Sequence, residues 1–537
     1  MGIHSPRPRK PADGFLGLKQ NLVADVTAGF IVFLLALPLS LGIAAASGFP
    51  PLMGIVTAII GGIVATFFSG SHLAIKGPAA GLIVIVAGSV SEFGGGEIGW
   101  HYTLGVMVVS GLLQVLFGVF KWGRLVDLFP LSAVHGMLAA IGLIIVAKQV
   151  PILLHVPKEL STGKGPLELL ASIPQFILHL DPVVSVIGGV SLTIMLAWGL
   201  VKNPLLKKIP APLLVLIFAI PAGQLLGLGT IPQSGVLVQV GNLIEEIGIH
   251  VEFGGLAMVR VFLKYLVMVA LVGSLESLLT VKAVDLMDPY KRKSDANKDL
   301  IAIGIANMIS AILGGLPMIS EVARSSANVA QGGKTRWANF FHGVFLLAAA
   351  WLAYPLLEMI PTAALAAMLI AVGIKLAHPK QLAHAYKIGP EQSAIFLTTI
   401  FFTLIEDLLI GMAAGMALKI VIHVLRGASW KGIFRAAITI HTTSNLIEVN
   451  IQDAAVFTNY LAIKSKLDQI PPGQCVILHL ENTNLIDHSV MAQIQAFESD
   501  YSAYGGTVEI TGLSQLKPVS LHPLSARKNI LKRPTHV

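Results

Sequence analysis

The sequence predicts an α-helical polytopic membrane protein of fourteen transmembrane segments, built as two inverted repeats of seven with half-helices at segments 3 and 10, and followed by a small α/β domain. Three observations predict it. Only 12% of the 537 residues are Asp, Glu, Lys or Arg while 54% are apolar, whereas soluble domains carry roughly a quarter charged residues. The mean hydropathy is +0.77, and apolar runs of about 18 to 25 residues recur, long enough to cross a hydrocarbon core as helices. Finally, basic residues concentrate in alternate loops, as topology in a membrane requires.

The runs lie at roughly 23–46, 51–70, 78–90, 102–120, 130–150, 182–201, 210–228, 256–281, 299–314, 322–331, 338–357, 361–377, 392–406 and 408–426. Runs 3 and 10 are too short to span as helices. Each follows a stretch that reads as extended, Ser71 to Gly77 and Gly314 to Ser320, so each is expected to begin a helix in mid-membrane. Their separation by seven makes the two units run in opposite directions, the sequence pattern of a secondary transporter with its binding site at the breaks.

Loops after even-numbered segments carry Lys121 and Arg124; Lys202, Lys207 and Lys208; Lys282, Lys291, Arg292, Lys293 and Lys298; Lys334 and Arg336; and Lys380 and Lys387. Odd loops are acidic or neutral, with Lys148, Lys158 and Lys164 as the main exception. Both termini are therefore expected in the cytoplasm, in a multi-pass protein of the cell (inner) membrane. The formal net charge of +8 is largely this asymmetry summed, and it implies no nucleic-acid partner. The expected domains are a basic arm over 1–22 with Arg7, Arg9, Lys10 and Lys19, a transporter domain over 23–427, and a cytoplasmic α/β domain over 438–537. In the last, strands are expected at Asn445–Ile451, Cys475–Leu480 and Thr507–Thr511, helices at Ala455–Leu467 and Val490–Tyr501, and a tail or weak last helix from Lys517 onward with basic Arg527 to Arg533. A single cysteine, Cys475, excludes an internal disulfide, and neither a His-Glu-x-x-His motif nor a Cys/His cluster is present to support a metalloenzyme.

Chemistry is expected where charge meets a broken helix. A helix N-terminus presents unpaired N–H groups and about half a positive charge, so two such ends facing each other form an anion site that needs no metal. Gly77 permits close backbone approach, and Pro78 suits a first helical turn. Arg324, beside Ser325 and Ser326, adds a full positive charge whose cost in a membrane directs it to a cavity or a partner, with Glu321 and Glu276 as the candidate partners. Glu276 is the candidate coupling group, because a carboxylate near a bound anion opposes binding unless a proton or cation accompanies it. It could equally serve as a fixed counter-ion to Arg324 or Lys76. Asp407 reads as a helix start, with Gly411 and Gly415 as a small-residue packing face.

These residues resemble the SulP family of anion transporters. The resemblance rests on Ala36-Leu-Pro-Leu-Ser-Leu-Gly-Ile-Ala-Ala-Ala-Ser-Gly48, Ile75-Lys-Gly-Pro-Ala-Ala80, Gly273-Ser-Leu-Glu-Ser277, Gly314-Gly-Leu-Pro317 leading to Ala323-Arg-Ser-Ser-Ala-Asn328, Gly332-Gly-Lys-Thr335, and the Asp407 to Gly415 motif. It implies a core of segments 1–4 and 8–11, a gate of segments 5–7 and 12–14, and elevator-type movement. It also implies a homodimer in the lipid bilayer and a C-terminal STAS domain. The substrate would be sulfate or bicarbonate, held by Ser40, Lys76, Gly77, Pro78, Ala79, Ala323, Arg324 and Ser325, with Glu276 and Glu321 serving a co-transported sodium or proton and no resident cofactor. A dicarboxylate or other organic anion carrier, or an exchanger, is the alternative on the same fold; a membrane receptor signalling through its cytosolic domain is the rival of another class. Val476 to Ser489 resembles the STAS strand and loop, which marks Ser489 as a regulatory position. Lys76 and Glu321 depart from the family pattern and are expected to pair with each other.

Overall fold

The computed structural model describes residues 10–203, 206, 209–230, 235–443, 446–503 and 505–529. Arg7, Arg9, Lys207, Lys208, Asn445 and residues 530–533 of the basic tail lie outside the described residues. Each of the fourteen expected segments carries a helix: α1 Gly14–Ala46, α2 Pro51–Phe68, α3 Ile83–Glu92, α4 Gly96–Val119, α5 Leu131–Leu153, α6 Pro182–Trp198, α7 Ala211–Leu225, α8 Val259–Met287, α9 Ala296–Ile312, α10 Val322–Ala330, α11 Trp337–Leu352, α12 Thr362–Leu376, α13 Pro390–Ile405 and α14 Leu408–Leu425. Among the described residues, seven helical stretches are long and apolar enough to cross a membrane by length and composition alone, with shorter apolar helices between them. Helix α1 begins well before the first apolar run, because Asp13 accepts from the amide of Gly14 and caps it. Asp407 caps α14 by accepting from the Ile410 amide at 2.9 Å, as its position before an apolar run predicts.

The chain divides into two compact units, one of Met1–Gly123 with Ile141–Leu376, the other of Arg124–Ala140 with Ala377–Val537. In the first, α1 and α2 pack on α11, α4 packs on α9, and α6 packs on α12. The close crossings use glycine: α2 and α11 meet backbone to backbone at Gly62 and Gly343. Between the helices lies a two-stranded antiparallel ladder, β1 Lys76–Pro78 and β2 Met318–Ser320, with Lys76 opposite Ser320 and Pro78 opposite Met318. Pro78 therefore ends a strand and does not open a helix. Its missing N–H terminates the ladder, a 3₁₀ turn at Ala80–Leu82 follows, and α3 starts only at Ile83.

In the second unit, α13 and α14 pack as a pair, with Gly411 and Gly415 set against Thr399 and Thr403. A seven-stranded sheet runs β7-β5-β4-β6-β9-β8, with β3 pairing on β4; its strands are β3 Ala437–Thr442, β4 Leu446–Ala455, β5 Cys475–His479, β6 Thr483–Ile486, β7 Thr507–Thr511, β8 Leu516–Pro518 and β9 Arg527–Asn529. The β4–β5, β4–β6 and β5–β7 pairs are parallel. Helices α15 Tyr460–Leu467 and α16 His488–Ala503 cover the sheet, burying Ile463, Val490 and Ile494 against Val449, Val476 and Leu478. The stretch after Lys517 is not a helix, since Arg527–Asn529 returns as a strand beside β6.

Candidate functional site at the broken helices

Non-helical backbone inside a membrane must find partners within the protein, and here side chains from the surrounding helices supply them. The amide of Ile75 donates to Ser325 Oγ at 2.9 Å and that of Lys76 to Asn339 Oδ1 at 3.1 Å. On the other strand and the stretch leading into it, Leu316 N donates to Thr57 Oγ1, Met318 N to Asn307 Oδ1 and Ser320 N to Ser277 Oγ, at 2.7, 2.7 and 3.0 Å. Asn307 is itself fixed by donating to Gln114 Oε1 at 2.8 Å. Ser325, expected to touch substrate, thus braces β1 and also donates to the carbonyl of Glu321 at 2.6 Å.

The two buried cations are treated in opposite ways. Lys76 Nζ donates to Asp299 Oδ1 at 2.8 Å and Ser69 Oγ at 3.0 Å, and both ionic side chains are fully buried. Ser69 and Ser320 also donate to the Asp299 carboxylate, at 3.0 and 3.2 Å. The expected Lys76–Glu321 pair is therefore corrected to Lys76–Asp299. The physical reason is that a fully desolvated ammonium needs an equally buried and hydrogen-bonded carboxylate, whereas half-buried Glu321 is occupied as the N-cap of α10, accepting from the Arg324 amide at 3.2 Å. Asp299 escapes sequence reasoning because an acid in the first turn of a helix reads as a partner for the helix dipole.

Arg324 is 1% exposed, and its Nη2 donates to Ser40 Oγ at 3.1 Å, joining α10 to α1. Among the described residues, its Nε and Nη1 have no hydrogen-bond partner. Neither does either carboxylate oxygen of buried Glu276 on α8. Glycines open the space for both groups: a Cβ on Gly77 would collide with Arg324 Nη1, and one on Gly81 with the Glu276 carboxylate. The stretch Gly77–Gly81 is thus flanked by an unsatisfied donor at one end and an unsatisfied acceptor at the other. Ala79 is buried within it and its carbonyl accepts from Leu82 N, while Ala323 is half-buried and its carbonyl accepts from Ser326 Oγ. Buried polar groups without partners are rare and point to a ligand. Gly81, Asn339, Asn307, Thr57, Ser277 and Asp299 are the site's supports that the sequence reading did not single out.

Ser489 lies elsewhere, at the start of α16, and is 8% exposed. Its Oγ accepts from Lys419 Nζ of α14 at 2.7 Å, and the same ammonium pairs with Asp487 at 2.9 Å. Burial alone would raise the Asp487 carboxyl, but Lys419, His423 and the hydrogen bonds it accepts hold it below the usual carboxylate range.

A helical membrane bundle whose two interrupted helices bring a guanidinium with two unpartnered nitrogens to a strand break belongs to the class of anion-handling membrane proteins. The particular family follows from comparison: residues 22–399 match the sulfate permease family, and the chain belongs to it. It is 29% identical over 416 residues to the putative sulfate transporter YvdB of Bacillus subtilis, covering 76% of this chain and 74% of that one. It is 25% identical over 418 residues to the bicarbonate transporter BicA of Picosynechococcus, covering 76% and 71%. Among solved structures, the transmembrane domain of a cyanobacterial BicA superposes with a TM-score of 0.62 at 22% identity, over 74% of this chain and 97% of that one. Murine Slc26a9, an anion transporter in the inward-facing state, gives 0.64 at 14% identity, over 95% and 90%. The protein is a multi-pass membrane anion transporter and not an enzyme, and its C-terminal strand-rich domain is consistent with a STAS domain.

Proposed function

We propose that this chain is a secondary active carrier of a small inorganic anion, sulfate or bicarbonate, coupled to an inward sodium or proton gradient and working by elevator-type movement. The observation that carries the reading is the pair of buried groups flanking Gly77–Gly81, Arg324 with two nitrogens unpartnered and Glu276 with both oxygens unpartnered among the described residues. A guanidinium offers donors in a plane that matches an oxyanion. A nearby carboxylate repels that anion until a proton or cation joins it, which makes binding of the two cooperative. The basic loops support fourteen spans with both termini in the cytoplasm of a bacterial-type inner membrane, and the family resemblance supports a homodimer.

Uptake of labelled sulfate and bicarbonate into proteoliposomes, with imposed sodium or pH gradients, tests the reading. Replacing Arg324 by Ala removes a charge-assisted contact worth about 1.5–3 kcal/mol, so uptake should fall about ten- to a hundredfold with the fold retained. Uptake that ignores every cation gradient would leave anion exchange in place of symport, and unchanged uptake in Arg324→Ala would remove that residue from the site.

A further inference from the structure

Three lysines are the main break in the charge pattern of the loops: Lys148, Lys158 and Lys164 follow segment 5 or end it, on the side where loops are mostly acidic or neutral. The structure separates them. Lys164 is occupied, donating to Ser172 Oγ at 2.8 Å and lying 5.7 Å over the Phe176 ring. Lys148 is half-buried within α5. Lys158 opens a 3₁₀ turn after α5, is exposed, and has no carboxylate partner among the described residues. It lines a cavity of about 440 Å³ whose other walls include Gly42 and Ala45 of α1, Gln149 of α5, Gln239, and Thr362 of α12.

We propose that Lys158 is the outer capture cation of the transport pathway, drawing inorganic oxyanions into this cavity before they reach Arg324. The inference rests on the anion-carrier reading and on the orientation given by the basic loops. The cavity opens among the C-terminal ends of α1 and α5 and the N-terminal end of α12, the ends which that orientation sets outside. Gly42 lies two residues beyond Ser40, the hydroxyl that holds Arg324, and faces Leu365 and Leu369 of α12, so one turn of α1 serves the cavity wall on one face and the Arg324 contact on another. No Asp or Glu is among the lining residues, and most of the wall is apolar. A single cation over a low-dielectric wall focuses its field into the space and raises the local concentration of anions. The volume holds a small oxyanion together with several waters at about 30 Å³ each, so capture precedes dehydration.

The test is initial-rate uptake into right-side-out vesicles at low ionic strength, comparing wild type with Lys158→Glu and Lys158→Arg. Capture acts on KM and leaves kcat, and its effect scales with anion charge. If Lys158→Glu raises KM for monovalent bicarbonate about threefold, it should raise that for divalent sulfate about tenfold, and both effects should shrink at about 0.5 M salt, where the Debye length falls to a few Å. Lys158→Arg should restore the wild-type KM. A KM within twofold of wild type for both anions, or an equal rise for both, would overturn the proposal while leaving the carrier reading intact. Absence of any anion uptake by wild type would overturn both. Sidedness is tested separately: the chain has one cysteine, Cys475, so Lys158→Cys in a Cys475→Ser background should react with a membrane-impermeant maleimide added outside intact cells. Reaction only after lysis would place the cavity on the wrong side and end the proposal.

Discussion

Lys76 and Arg324 are both buried cations within reach of the same short ladder, yet only one carries its own counter-ion. Lys76 with Asp299 is a closed, neutral unit, whereas Arg324 keeps two donor nitrogens without partners. The first arrangement predicts a stability effect. Lys76→Met should cost about 3–5 kcal/mol by stranding a buried carboxylate, and Lys76→Met with Asp299→Asn should recover most of it; thermal unfolding in detergent of the two singles and the double reads the coupling, and additive losses would rule it out. The second arrangement predicts a functional effect. Gly77→Ala would push against Arg324 Nη1, so anion uptake should be lost at little cost in melting temperature. Arg324 and Glu276 were legible in the sequence because charges inside apolar runs are conspicuous. Asp299 was not, for it stands beside Lys298 at a helix start, where an acid is ordinary.

At the scale of elements, the two breaks were visible in the sequence as short apolar runs behind Gly- and Pro-bearing stretches. What was not visible is the set of polar side chains that make the breaks tolerable. Thr57, Asn307 and Asn339 look like single polar residues on membrane helices, and only their distance partners, hundreds of residues away in two of the three cases, explain them. Asn339→Leu should leave the Lys76 amide without an acceptor and cost about 1–3 kcal/mol, again read by thermal unfolding. The strands β8 and β9 also escaped the sequence reading, because three residues are too few to show a period of two.

The pair Asp487–Lys419 belongs to the same scale, tying α16 to α14. A carboxyl held low in the folded state adds stability above its unfolded value and loses it as pH falls toward its folded value. Unfolding of wild type should therefore become easier with acid below about pH 4, whereas Asp487→Asn should be weaker at neutral pH and show a flatter acid limb. An acid limb identical to wild type in Asp487→Asn would mean that the pair contributes nothing.

For the whole molecule, the order of the apolar helices was readable from composition alone, since hydrophobic thickness acts on every segment independently. Pairing across the repeats was not, because it depends on contacts between residues about 240 positions apart. The coupling proposal makes its prediction here: Glu276→Gln should abolish accumulation driven by a cation gradient while anion-for-anion exchange persists, measured in the same vesicles. Loss of both would make Glu276 a structural residue.

The braced ladder has a consequence in time. The amides of Ile75, Lys76, Leu316, Met318 and Ser320 are each held by a side chain from a helix, α10, α11, α2, α9 and α8 respectively. None of them can be freed by the fraying of one loop; release requires several helices to part together. Deuterium should therefore enter these five positions as one slow group, at a rate indifferent to substrate, while neighbouring surface loops exchange early. Ordinary fluctuations of single loops then leave the ladder beside Arg324 closed, and under the proposed elevator movement it would travel as one piece.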